Sequence, residues 1–301
     1  MLTFPAKDSL NSSGAIATDS CAYCVERYSF PTIEQHMDIE QFTAEFELAR
    51  PQLKSYILRM TASLEDTEDI VQDTFIKASS KLDTFRGQST LKTWLFAIAS
   101  NLAKDNLKVQ KRWPKNVTDL GKTAALADKQ FFREALQIAA TSPQGQFEIK
   151  EHISFCLTCI AKSLPLEQQV CLLLKEIYEF KVSEIMQILE TTEAMVKYYL
   201  HAGRGKMVTI FEGRCALINK EGVCHQCSEL NGIFNPKQNF EEEKNKIEFA
   251  RKANDPDREY LLNLRFEILK DIDPFTSKGS ALEQHHLAFN RRVMENYPEK
   301  I

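Results

Sequence analysis

The chain is poor in the residues that break helices. Gly and Pro number only 10 each among 301 residues, well below average usage. A long chain with few breakers favours helices. Long apolar runs are missing as well: no stretch approaches the roughly 18 residues that a membrane span needs. The opening MLTFPAKDSLNSSG lacks the basic-then-apolar order of a secretory signal. A cytoplasmic protein with no membrane partner is therefore expected. Positive charge is not in excess either, since 38 Lys and Arg face 42 Asp and Glu, for a net charge of -4. Any contact with nucleic acid must then come from local patches rather than a globally basic surface. No phosphate-cradling Gly loop, nucleophile motif or carboxylate pair stands out, so neither a catalytic site nor enzyme activity is expected. Internal repeats, low-complexity tracts and strand-like alternation are also lacking.

What remains is an ordinary composition, 43% hydrophobic and 27% charged, on a chain long enough for two or three domains. The patterning predicts an all-α protein. Residues 1–38 read as a loose, polar arm and 39–112 as a strongly helical block. A linker over 113–148 holds one helix around DKQFFREALQIA, and 149–211 is helical again. A Cys-containing helical extension covers 212–301, with breaks at 254–256 and 273–279.

In the first block, Ser63 and Asp66 resemble a capping box with Asp in place of Glu. Beyond them Val71, Phe75, Ala78 and Leu82 recur at core spacing. Asp69, Gln72, Asp73 and Ile76 form a second stripe, which is either a solvated acidic face or a docking face. FRGQST then breaks the helix at Gly87, and Ser89 or Thr90 caps the next one. There Leu91, Leu95, Ile98 and Leu102 form the expected core stripe. Trp94, Asn101, Lys104 and Lys108 lie along another side, and Lys111, Arg112 and Lys115 extend the positive charge. A flat aromatic beside a cationic row suits single-stranded nucleic acid, because bases stack on the ring while ammonium groups track phosphates. The alternative is a Trp packed in the core beside ordinary surface lysines.

The stretch DTEDIVQDTFIKASSKLDTFRGQSTLKTWLFAIASNLAKDNLK resembles region 2 of sigma factors, in the extracytoplasmic-function (ECF) branch of the sigma-70 family. The resemblance implies that Asp69, Gln72, Asp73 and Ile76 dock on core RNA polymerase. It also implies that Phe85, Arg86, Ser89, Thr90, Lys92, Trp94, Asn101, Lys104 and Lys108 hold the melted strand of the −10 element. SLPLEQQVCLLLKEIYEFKVSEIMQILETTEAMVKYYLHAGRGKM resembles region 4. From its own pattern it reads as helix, helix, turn, helix, with Ile185, Leu189, Val196 and Leu200 as the small core of a helix-turn-helix. Thr192 or Glu193 starts the recognition helix, which offers Lys197, Tyr198, His201, Arg204 and Lys206 to DNA. The resemblance makes this the −35 reader. The copy departs from the family pattern at its turn, where Glu190 replaces the usual Gly and Thr191 the following apolar residue. A positive φ at Glu190 would cost roughly 1 kcal/mol relative to Gly. Gly203 and Gly205 are expected to interrupt the end of the recognition helix, each at up to about 1 kcal/mol. A weakened −35 grip follows.

Six of the eight cysteines sit in CxxC pairs: Cys21/Cys24, Cys156/Cys159 and Cys224/Cys227. Cys156, Cys159, Cys224 and Cys227 have the ligand types of a tetrahedral zinc site that would pin the tail to region 4. They also suit a thiol–disulfide sensor, or Cys156 and Cys159 are simply small core residues. No cofactor is required on this reading, and a structural zinc is the one candidate. The apolar set Leu261, Leu264, Ile268 and Ile272 suits packing on region 4 and partner binding alike. The leading expectation is a non-enzymatic sigma subunit whose partners are core RNA polymerase, promoter DNA and, as a candidate, an anti-sigma factor. The rivals are a stand-alone helix-turn-helix regulator and a thiol- or metal-based regulatory protein on a degenerate sigma scaffold.

Overall fold

The structure is a computed structural model and describes residues 37–141, 149–214 and 257–297. All regular elements among the described residues are helical. Helices α1 (Ile39–Thr61), α2 (Leu64–Ser79) and α3 (Leu91–Lys108) pack as a three-helix unit. Each start carries a side-chain cap. Asp38 accepts from the Gln41 N–H at 2.8 Å, Ser63 from Asp66 at 3.1 Å and Thr90 from Thr93 at 3.1 Å, satisfying donors that have no intrahelical partner. The expected capping box at Ser63 is only half made. The Ser63 N–H turns to Thr61 Oγ1, and the Asp66 carboxylate takes Arg291 and Asn106 instead.

The α2 stripe packs as its spacing predicts, with Val71 and Ala78 buried and Phe75 and Leu82 packed at the edge. Phe75 meets the Phe42 and Phe46 rings at 5.7 and 5.0 Å. The α3 stripe is corrected. Leu95, Phe96, Ala99, Ala103 and Leu107 are its buried line, while Leu91, Ile98 and Leu102 are only half-buried. The difference arises because α3 is covered on two sides, by α1 and α2 and by a later helix.

The linker region holds two helices rather than one, α4 (Val117–Ala127) and α5 (Lys129–Thr141). Trp113, placed by its sequence at the start of the linker, is buried against Leu58, Val117, Phe155 and Leu287. The second block runs through α6 (Ile149–Ala161), α7 (Leu166–Leu172), a π-turn over Leu173–Ile177, α8 (Val182–Leu189) and α9 (Glu193–Arg214). Helix α9 passes through Gly203 and Gly205 without a break. Gly203 is where α9 crosses α7 most closely, since a Cβ there would stand 2.9 Å from Leu172 Cδ1. The Gly serves close helix packing, not helix termination. Helices α10 (Arg258–Lys270) and α11 (Ser280–Glu295) fold back, α10 on α6 and α9 and α11 on α4, α5 and α6. Leu261 and Ile272 of the apolar set are buried, so the packing alternative holds for this segment. The break expected over 273–279 falls within the one observed over 271–279; the one over 254–256 and the part of the extension before it, from 215 on, lie outside the described residues.

The two helical blocks share one core. Tyr178 and Phe180, between the π-turn and α8, enter the first block, with Tyr178 at 5.4 Å from the Tyr56 ring and Phe180 at 4.8 Å from Phe96. A buried polar seam joins the same halves. The C-terminal carbonyls of α1, which lack intrahelical partners, are met from the second block. Lys162 Nζ donates to Thr61 O at 2.6 Å, and Gln169 Nε2 donates to the Arg59 and Met60 carbonyls at 3.2 Å. Arg59, 1% exposed, donates to Ser154 Oγ at 2.9 Å and to Ile272 O at 2.8 Å.

Candidate nucleic-acid interface

Helix α2 buries one side in the three-helix unit, so its other side is left to solvent. Asp69, Gln72, Asp73 and Ile76 are all exposed there, Ile76 to 54% of its area as a large apolar residue among acids. At i, i+3 and i+7 from Asp66, Asp69 and Asp73 stand on one face. Arg291 bonds Asp66 at 2.6 Å. Burial alone would raise the Asp66 carboxyl, but the Arg291 hydrogen bond and charge outweigh it and hold the pKa below its ordinary value.

The loop after α2 turns at Gly87, whose φ of +67° suits Gly. Arg86 is exposed and Ser89 half-buried, while Thr90 is spent on the α3 cap. Phe85 and Trp94 are both half-buried, and their rings meet at 5.1 Å, tilted by 36°. Trp94 thus meets both sequence readings in part. One side of it packs on the core and on Phe85, and the remainder lies in the surface. Asn101 and Lys108 are exposed and Lys104 half-buried along the same side of α3; Lys108 pairs with Asp105 at 2.8 Å. Lys92 departs from the rest. Its ammonium lies 5.0 Å over the Phe180 ring and 5.8 Å over Phe96. Burial lowers its pKa, against the opposing pull of Glu184 and Glu179. Next to it, Thr93 Oγ1 donates to Glu184 Oε1 at 3.3 Å. The first turn of α3 is therefore covered by α8.

The helix-turn-helix is α8, a short turn and α9. Glu190 has φ +50° and ψ +48°, and its N–H bonds Met186 O, so the left-handed turn is made by a residue with a Cβ. Ile185, Ile188 and Val196 are buried in its core, with Leu189 and Leu200 at the margin. Thr192 Oγ1 accepts from the Met195 N–H at 3.4 Å. Tyr198, His201 and Lys206 are exposed, and Lys197 is exposed but paired with Glu193 at 2.6 Å. That ion pair holds the Glu193 carboxyl below its ordinary value. Arg204 is placed differently from its expected outward position. It donates to Glu176 Oε1 at 2.6 Å, Glu259 Oε2 at 2.9 Å and Asn263 Oδ1 at 2.5 Å. Its side chain is 19% exposed, so it points to α10 and the π-turn rather than outward.

Sequence patterning missed Glu184, Tyr178 and Phe180, which cover α3, and Glu259 and Asn263, which enclose Arg204. No periodicity could signal them, because each partner comes from a segment distant in the sequence. Of the cysteines, Cys159 is fully buried beside Trp113 and Phe155. Asn290 Nδ2 donates to its sulfur at 3.5 Å, and burial pushes its thiol up to about 12. Cys156 lies one turn earlier and half-buried; Cys224 and Cys227 lie outside the described residues, as do Cys21 and Cys24.

Compared with known families, residues 46–112 match sigma-70 region 2 and residues 154–207 match sigma-70 region 4. The RNA polymerase sigma-E factor of Escherichia coli K12, an ECF member, is 30% identical over 139 residues, spanning 46% of this chain and 70% of that protein. The chain belongs to the ECF branch of the sigma-70 family. The ECF sigma factor SigG of Mycobacterium tuberculosis is 29% identical over 179 residues, covering 56% of this chain and 48% of SigG. The chain therefore spans about half the length of that relative. YlaC of Bacillus subtilis, also a sigma factor, is 28% identical over 157 residues, 51% of this chain and 82% of YlaC. In this sigma-70 member, α1–α3 carry region 2 and α6–α9 carry region 4, in family order. Sigma-70 proteins are non-enzymatic initiation factors. No helix among the described residues is long and apolar enough to cross a membrane. Helices α4, α5, α10 and α11 lie outside both family models.

Proposed function

We propose that the protein is a cytoplasmic, non-enzymatic sigma subunit that binds core RNA polymerase and directs promoter-specific initiation. The observation that carries this reading is the exposed row Asp69, Gln72, Asp73 and Ile76 on α2, set in a chain with regions 2 and 4 in family order. Region 2 would dock through that row and hold the melted −10 strand along Trp94, Asn101, Lys104 and Lys108. Region 4 would read the −35 element through the first turns of α9. An anti-sigma factor is a further partner on this reading. The two elements stand about 25 base pairs apart, or roughly 85 Å at 3.4 Å per pair of duplex. Here α8 and α3 touch, with 3.3 Å between Glu184 and Thr93. Binding both elements therefore requires the two regions to separate.

Run-off transcription with added core polymerase tests the reading. The protein should start transcripts at specific promoters, and the double variant Asp69→Lys/Asp73→Lys should lose core binding at least about tenfold, a change of roughly 1.4 kcal/mol, with its helix content intact. Unchanged affinity for core would refute the docking face. A structural zinc on Cys156, Cys159, Cys224 and Cys227 is a separate part of this proposal. It is supported by the two CxxC spacings, and it would have to displace the Asn290 amide from Cys159. Elemental analysis of reduced protein should then find about one zinc per chain.

A further inference from the structure

The segment 257–297 holds both sigma regions at once. Toward region 2, Arg59 of α1 donates to Ile272 O at 2.8 Å, Lys54 lies 4.6 Å over the Phe275 ring, and Arg291 donates to Asp66 at 2.6 Å. Toward region 4, Arg204 donates to Glu259 and Asn263. Lys270 also pairs with Glu179 at 3.0 Å, and Ser154 donates to Glu283 at 2.6 Å. Between these two sets of bonds, region 4 lies on the start of α3, with Lys92 under the Phe180 ring and Thr93 bonded to Glu184.

We propose that α10, α11 and their connector form an intramolecular clasp that holds region 4 against the first turn of α3 and keeps that turn from nucleic acid until the clasp releases. The inference rests on the reading of α3 as a strand-binding helix. A bridge of this kind needs no single strong bond, because each of its ends is held at several points. Its region 2 end is also placed to respond to a partner. Asp66 belongs to the same face of α2 as the exposed Asp69 and Asp73. A cationic surface settling on those two carboxylates comes up beside the Arg291–Asp66 pair and competes with Arg291 for Asp66. Several of the bonds are ion pairs at the surface, so salt loosens the clasp as well.

Two full-length variants test it. Arg291→Ala/Phe275→Ala removes two of the bonds to region 2. Glu259→Ala/Asn263→Ala removes the bonds that α10 makes to Arg204. The first readout is the rate at which Lys92 is acetylated by an amine-reactive acetyl ester, measured by mass spectrometry against exposed Lys108. The second is affinity for a fluorescein-labelled oligothymidylate. Opening a minor state into a well-populated one should raise Lys92 labelling at least about fivefold in either variant, with tighter oligonucleotide binding alongside. Unchanged Lys92 labelling in both folded variants overturns the clasp. If one variant fails to fold, the other decides. Loss of fold in both also overturns it, because these bonds would then be needed for folding itself rather than for a releasable clasp. Faster Lys92 labelling with unchanged oligonucleotide affinity supports the clasp and overturns the strand-binding reading of α3.

Discussion

Regions 2 and 4 carry comparable sets of candidate binding side chains, yet the fold treats them differently. On α2 the whole docking row is exposed. On α9 the first turns are open, but Arg204 is enclosed by Glu176, Glu259 and Asn263. On α3 the far end is open, while Lys92 at the near end is covered by Phe180. The difference follows the neighbours. Among the described residues, Asp69, Gln72, Asp73 and Ile76 stay exposed beside the Arg291–Asp66 pair on α2, whereas α9 shares its later turns with α10 and α3 shares its first turn with α8. A family motif thus tells which helix carries a function, and distant segments decide which of its residues are available.

The largest effect should come from the seam between the regions. Arg59→Ala removes a buried cation bonded to Ser154 and Ile272 O and should cost about 2–3 kcal/mol in urea unfolding, because two charge-assisted hydrogen bonds are lost and the Ile272 carbonyl stays buried without its donor. A loss below about 1 kcal/mol would show that the two regions are not coupled through this residue.

Trp94→Ala sharpens the contrast within region 2. Loss of the Phe85 contact should cost about 0.5–1.5 kcal/mol of stability. Promoter opening should fall further than core binding, since a stacked base contributes on the order of 1–3 kcal/mol. If thermal melting shows region 2 unfolded, the Trp is mainly a core residue.

The pH profile probes the same seam. Lys162 is buried among Arg112, Arg291, Cys159 and Asp66, and burial, with Arg112 and Arg291, lowers its pKa from 10.5 to about 7. Above pH 7 the unfolded chain then binds more protons than the native one, so stability rises with pH toward 9, by on the order of 1–2 kcal/mol. Glu283 and His286 act lower. Burial raises Glu283 to about 7, which removes stability as pH climbs from 4.5 to 7. Burial lowers His286 to about 3, which adds stability from 3 to 6.5 and offsets it. Cys159 and Cys171, raised to about 12, turn the slope down above pH 9. Chemical denaturation at pH 7, 8 and 9 should show the rise in the wild type and none in Lys162→Met.

The smallest effect should be a gain. Glu190→Gly relieves the left-handed turn of the helix-turn-helix, worth about 1–2 kcal/mol, less the entropy cost of Gly at about 0.5–1 kcal/mol. A slightly higher melting temperature is expected. A lower one would mean that the turn needs the Glu side chain.

Much of this was legible in the sequence. The α2 core stripe, its acidic row, a cap at Ser89 or Thr90 and a recognition-helix start at Thr192 or Glu193 follow from local rules, because caps and periodicity act within a few residues, while the turn at Glu190 follows from the resemblance to region 4. Gly203 lies beyond the reach of such rules. Helix propensity marks it as a break, but its use is the close approach of Leu172 from α7.

By itself, the sequence determined an all-α chain with region 2 and region 4 motifs in order, and it named the helices that carry the binding faces. Tertiary structure alone decided that the two regions share one core, that Lys92 and Arg204 are taken up by other helices, and that α10 and α11 bridge both regions. The physical reason is range. Arg59 and Ile272 lie 213 residues apart and Asp66 and Arg291 lie 225 apart. Pairs so distant leave no period in the sequence and are chosen only when whole helices pack.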